Sequence, residues 1–105
     1  MIPVQVVLAA SGLLFAVGLF GILTRRNFIL LLISVEIVMN SAILNFVAFS
    51  SYASGPPLGA VTGQAIAVVL VGLAATEVAV GLAIVLALNR LRGSIDVAKA
   101  MQLRF

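Results

Sequence analysis

The chain has 105 residues, 64% of them hydrophobic and only 9% charged, with a mean hydropathy of +1.34 and a formal net charge of +3. A water-soluble domain of this size needs a polar shell that so few charges cannot supply, so the composition defines an integral membrane protein. Without Cys there are no disulfides or thiolate metal sites, and three carboxylates with no His argue against a protein-ligated metal centre.

Three apolar runs follow in order, over residues 3–23, 28–50 and 64–89, each long enough to cross a hydrocarbon layer ~30 Å thick. The expected fold is all-α: one membrane domain over 1–105, with three transmembrane helices and a tail from 90 to 105. Helix one opens on Pro3, acceptable in a first turn, and neither a basic leader nor a small-residue cleavage site precedes its apolar stretch; it is expected to be retained. Only Thr24-Arg25-Arg26-Asn27 separates it from helix two, so these two helices are antiparallel neighbours, with Thr24 or Asn27 available to cap an end. From Ser51 to Gly63 the helix breakers Gly55, Pro56, Pro57 and Gly59 predict an exposed loop, and Tyr52 suits the headgroup boundary.

Arg25 and Arg26, then Arg90, Arg92, Lys99 and Arg104, all fall on one side of a three-pass topology. The positive-inside rule puts that side, with the C-terminus, in the cytoplasm and the N-terminus outside. Positive charge beside membrane segments records insertion, so nucleic acid is not an expected partner. In the tail, Ile95, Ala98, Met101 and Phe105 recur at near-helical spacing, which suggests a short interfacial helix or a contact with a neighbour.

Two of the three acids lie inside the apolar runs. Glu36 stands eight residues into helix two, ~12 Å from its cytoplasmic start, and Glu77 twelve residues before Asn89, ~18 Å from that end, so both bracket the midplane. A charged side chain at a helix centre costs about 2.5 to 3.5 kcal/mol on insertion scales, while each Leu, Ile, Phe or Val returns roughly 0.3 to 0.6. Insertion survives, but a carboxyl retained there must be protonated, hydrated or paired.

At about 100° per residue Asn40 lies roughly 40° from Glu36, a candidate to support its carboxyl, while Ser34, Ser41 and Asn45 gather on nearly the opposite face of helix two. Lipid satisfies neither polar stripe, so helix two is expected between protein neighbours on both. On helix three Ala67, Ala74 and Gly81 form a small-residue stripe beside Glu77, and Gly72, Thr76, Ala79 and Ala83 form a second; helix one adds Gly12, Gly18 and Gly21. Small stripes usually mean only helix packing, Asn and Ser in such helices usually glue neighbours, and an arginine pair usually marks topology. For intramembrane glutamates the balance reverses, because ionisable groups at that depth generally mark an ion or proton path.

The string Gly21-Ile-Leu-Thr-Arg-Arg-Asn-Phe, the following Leu-Leu-Ile-Ser-Val-Glu-Ile-Val-Met-Asn, then Asn45-Phe, and Glu77-Val-Ala-Val-Gly-Leu-Ala-Ile with Asn89-Arg90 and Asp96, resemble the K subunit of respiratory NADH-quinone oxidoreductase, complex I. The resemblance spans essentially the whole chain. It implies a proton-pumping role in a bacterial plasma membrane, as a non-redox subunit of the translocase with no activity alone. Glu36 and Glu77 would belong to a chain of buried charged and hydrated groups along the membrane arm, facing each other or a shared water file. Arg25 and Arg26 match the family's basic loop, important for coupling or assembly. NADH, FMN, iron-sulfur clusters and quinone would sit in other subunits, with none bound by this chain, and its partners would be antiporter-like and small membrane-arm subunits on both sides, together with lipid.

Two other readings stay open. The C subunit of Mrp-type cation/proton antiporters shares the three-helix plan but generally lacks this glutamate pair, and a purely structural assembly subunit needs no proton path. The rotor-ring proteolipid is a two-helix hairpin with one acid, and small multidrug exporters usually have four helices with a glutamate in the first.

Overall fold

A computed structural model describes residues 2–52 and 57–92, folded as three helices: α1 (Val4–Thr24), α2 (Phe28–Tyr52) and α3 (Pro57–Arg92). All three are long and apolar enough to cross a membrane, and the chain is a multi-pass membrane protein. α2 is the middle helix, with α1 and α3 each packed against it. The molecule measures 57 × 23 × 20 Å, and its long dimension follows α3, whose 36 residues extend ~54 Å.

Pro3 occupies the cap position before α1, in an extended conformation, and its carbonyl accepts from the Val6 N–H at 3.1 Å. At the other end Arg25 turns extended while its N–H still donates to Gly21 O, so the chain leaves the helix within one residue. Asn27 then starts α2: its Oδ1 accepts from the N–H groups of Ile29 and Leu30, at 2.8 and 3.3 Å, which satisfies two of the donors a helix start leaves open. Thr24 is no cap, because its hydroxyl donates back to Phe20 O. The reversal is as tight as its spacing predicts, and Tyr52 Oη donates to Ile2 O, tying the far end of α2 to the beginning of α1.

One boundary differs from expectation. α2 runs on to Tyr52 and α3 begins at Pro57, about two turns before the predicted start at residue 64. Pro at the first position of a helix loses nothing, since that N–H has no intrahelical partner anyway. Gly63, read as a loop residue, is instead the point where α3 closes on α2, because a Cβ there would stand 2.6 Å from Ser50 Cβ.

Small residues bring the helices together. In the α2–α3 seam the buried residues are Ile43, Ala67 and Ala74, with Met39 and Leu70 packed against them. Without a hydrophobic driving force between helices in lipid, such close approach supplies the van der Waals contact that holds a bundle. In the α1–α2 seam a Cβ on Gly21 would stand 2.1 Å from Ser34 Oγ, and one on Gly18 2.6 Å from Val38 Cγ2. Four serines, at 11, 34, 41 and 50, are buried among the described residues. Ser34 Oγ donates to Leu30 O and Ser41 Oγ to Val38 O, while Ser11 Oγ crosses the seam to donate to Ser41 O at 2.9 Å. Outward-facing side chains are large and apolar: Leu13, Leu23 and Val68 each expose at least 70% of their surface, as lipid or neighbouring helices require. The expected helical repeat in the tail lies outside the described residues.

Candidate functional site

The site is assembled from the middle of α2 and the middle of α3. Leu32 meets Gly81, and Ser50 meets Gly63, which sets the antiparallel register of the two helices. Glu36 is four residues past Leu32 and Glu77 four before Gly81, an equal step of ~6 Å toward the same end, so the two carboxyls sit at one level. Their surroundings differ. Glu36 is half-buried in an apolar groove with Ile29, Leu32, Ile33 and Ile37 of α2 and Val78 and Leu82 of α3, with a volume of about 290 Å³. Glu77 is exposed and does not line that groove.

Helix geometry explains the split. Val78, which faces the groove, lies about 100° around α3 from Glu77, and Ala74 and Gly81 come between them at the centre of the seam. Glu36 and Glu77 therefore stand on opposite shoulders of the seam. Between them Leu32 packs on Gly81, and Met39 and Ile43 cluster with Ala74. Neither carboxyl has a hydrogen bond or ion pair among the described residues, so none of these satisfies it. In hydrocarbon that is the costly state which demands a partner.

The other predicted residues make no hydrogen bond or ion pair to the carboxyls among the described residues. Arg25 and Arg26 are exposed in the turn, at the end of α2 from which Glu36 is ~12 Å away. Asn40 is exposed and makes no hydrogen bond to Glu36 among the described residues. The polar stripe of Ser34, Ser41 and Asn45 faces α1, as expected of a helix held between two neighbours. Within it the Asn45 Oδ1 is buried without a partner, a detail that residue type alone does not reveal. Of the small stripes, Ala67, Ala74 and Gly81 line the α2–α3 seam, whereas Gly72, Thr76, Ala79 and Ala83 are exposed. Among the described residues no three of His, Cys, Asp or Glu cluster as metal ligands.

A multi-pass membrane protein of three helices, with two intramembrane carboxyls at one level on a shared seam, is the class these features define. The family model described as NADH-ubiquinone/plastoquinone oxidoreductase chain 4L matches residues 6–104, and the chain belongs to that family. It is 46% identical over 97 residues to the NADH-quinone oxidoreductase subunit K 1 of Syntrophobacter fumaroxidans, covering 92% of both chains. The subunit K of Anaeromyxobacter dehalogenans is 45% identical over 95 residues, 90% of this chain and 91% of that one. An NAD(P)H-quinone oxidoreductase subunit 4L of a Synechococcus strain is 39% identical over the full length of both.

Proposed function

We propose that the chain is a membrane-arm subunit of a proton-pumping NADH-quinone oxidoreductase, complex I, in the plasma membrane of a bacterium, and that Glu36 and Glu77 carry protons through it. The observation behind this reading is the level pair of carboxyls at mid-membrane, unpartnered among the described residues and open to different sides. A carboxyl oxygen of one accepts a proton from water or an ionisable group of the subunit beside it, and the other releases one to the subunit across the seam. The stations linking them are water and side chains of those neighbours, so that the chain is one segment of a longer lateral path. Arg25 and Arg26 act at the cytoplasmic turn, in coupling or assembly, and Asn40 adjusts the polarity beside Glu36. The C-terminus faces the cytoplasm and the N-terminus the outside.

Electron transfer belongs to other subunits, which hold the nucleotide, FMN, iron-sulfur clusters and quinone. Relatives named for NADH and for NAD(P)H both match this chain over more than nine-tenths of its length, which fits a donor chosen elsewhere. The separate variants Glu36→Gln and Glu77→Gln, introduced into the intact complex, test the proposal in sealed membrane vesicles. NADH oxidation and proton uptake are measured together, alongside the amount of assembled complex. The expected result is normal assembly with a loss of protons moved per NADH. Full pumping in either variant overturns the assignment, and loss of the assembled complex favours a scaffold role.

A further inference from the structure

The last turns of α3 carry a groove of about 500 Å³, walled by Ala83, Leu86, Ala87, Arg90 and Leu91. Arg90 is nine residues past Gly81, half a turn around the helix from it, so the groove lies on the face of α3 turned away from α2. We propose that this groove binds an anionic phospholipid, whose phosphate accepts hydrogen bonds from the Arg90 guanidinium while an acyl chain lies along Leu86, Ala87 and Ala83.

Depth matches the two parts of such a ligand. Leu32 of α2 meets Gly81, and counting five residues outward along both helices brings Asn27, in the turn that joins α1 to α2, level with Leu86. That turn, with Arg25 and Arg26, marks the edge of the hydrocarbon. Arg90 is four residues beyond Leu86, ~6 Å out among the headgroups, and Ala83 is three residues, ~4.5 Å, inside. The groove therefore starts at a cation in the polar layer and descends between apolar side chains, the order in which a phospholipid presents its phosphate and its chain. Its volume is about three times the ~150 Å³ of a cavity that takes up benzene, room for a stretch of acyl chain.

Charge selects the headgroup. Arg90 is exposed and makes no hydrogen bond or ion pair among the described residues. Its guanidinium is a planar fork of N–H donors that fits two phosphate oxygens at once. Arg25 and Arg26 stand at the same end of the bundle, whereas the described carboxylates, Glu36 and Glu77, lie ~20 Å from the level of Arg90. A positive field of this kind favours a headgroup of net negative charge over a zwitterionic one, whose ammonium group it repels.

The test places a diazirine analogue of leucine at Leu86 in the intact complex. The complex is reconstituted into nanodiscs of phosphatidylglycerol and phosphatidylcholine in equal parts, and the adducts are identified by mass spectrometry. The expected adduct is phosphatidylglycerol, captured well beyond its share of the bilayer. Arg90→Gln lowers that enrichment about fivefold, the weight of one arginine at an anionic surface, and Arg90→Lys, which keeps the charge, retains it. Excess inorganic phosphate leaves the yield unchanged, because the free ion has no chain to place in the groove. Capture of the two lipids in proportion to their abundance overturns the proposal, as do adducts confined to a segment of another subunit, displacement by inorganic phosphate, or full enrichment in Arg90→Gln. If Arg90→Gln fails to assemble, the contest between the two lipids on the unsubstituted Arg90 decides alone.

Discussion

Replacing Glu36 by Leu separates what the carboxyl does from what the fold needs. The side chain has no hydrogen bond or ion pair among the described residues, and its groove is lined by Ile29, Leu32, Ile33, Ile37, Val78 and Leu82. Removing it therefore breaks no internal bond and places an aliphatic group among aliphatic groups. On insertion scales the change from a charged residue to Leu at mid-helix is worth about 3–4 kcal/mol. At 1.4 kcal/mol per factor of ten, the insertion equilibrium of α2 improves more than ~100-fold. Insertion of the isolated α2 segment into microsomes, read by glycosylation of flanking sites, measures that gain. Proton uptake by vesicles carrying the variant complex measures the loss. The expected outcome is a better-inserted helix in a complex that no longer pumps. A Glu36→Leu complex that moves the wild-type number of protons per NADH refutes the argument that function alone retains this acid, and poorer insertion of the segment refutes the energetics.

Gly21→Ala and Gly18→Ala place a Cβ 2.1 Å from Ser34 Oγ and 2.6 Å from Val38 Cγ2, so α1 must move off α2, at a cost of about 1–3 kcal/mol each; a thermal shift of the detergent-purified complex reads the loss, with Gly72→Ala as the neutral control because nothing lies within 4 Å. Asn27→Ala removes the acceptor for Ile29 and Leu30 and costs about 1 kcal/mol, visible as earlier fraying of α2 in hydrogen exchange. The chain contains no Cys, so single cysteines at Arg25 and at Ile2 report topology cleanly. An impermeant thiol reagent should reach the first only from the cytoplasmic side and the second only from outside, and the opposite pattern reverses the orientation.

Composition and run length made the three helices legible, because a bilayer imposes a length and an apolarity that soluble folds do not. The short Arg25-Arg26-Asn27 link likewise announced an antiparallel pair. Pro57 and Gly63 misled for a physical reason: a helix start tolerates Pro, and glycine in a membrane helix serves close approach as readily as it serves a turn. At the site, the sequence revealed which acids were anomalous and that they lay at similar depth. It did not reveal their division by the seam, because that depends on which flank of Ala74 and Gly81 packs on α2, and Glu77 lies close to the stripe on either count. Asn45 was visible only as one member of a polar stripe. That its Oδ1 is buried without a partner is decided by the packing of the helices.

The seam itself makes the last prediction. Leu32 lies one turn from Glu36 and packs on Gly81, the α3 residue one turn from Glu77, so it is one apolar plug between the two shoulders. If protons pass between the acids by way of neighbouring subunits, the seam is insulation and its exact filling is immaterial to the path. Leu32→Ala should then cost some stability, because a packed aliphatic group is lost, yet leave the protons moved per NADH and the passive proton leak of vesicles unchanged. If the two acids exchange protons directly through the seam, water entering beside the shortened side chain shortens that route, and leak or pumping rate rises. The level register and the divided shoulders favour the first outcome, and a rise in either quantity would show that the barrier between Glu36 and Glu77 is itself the conduit.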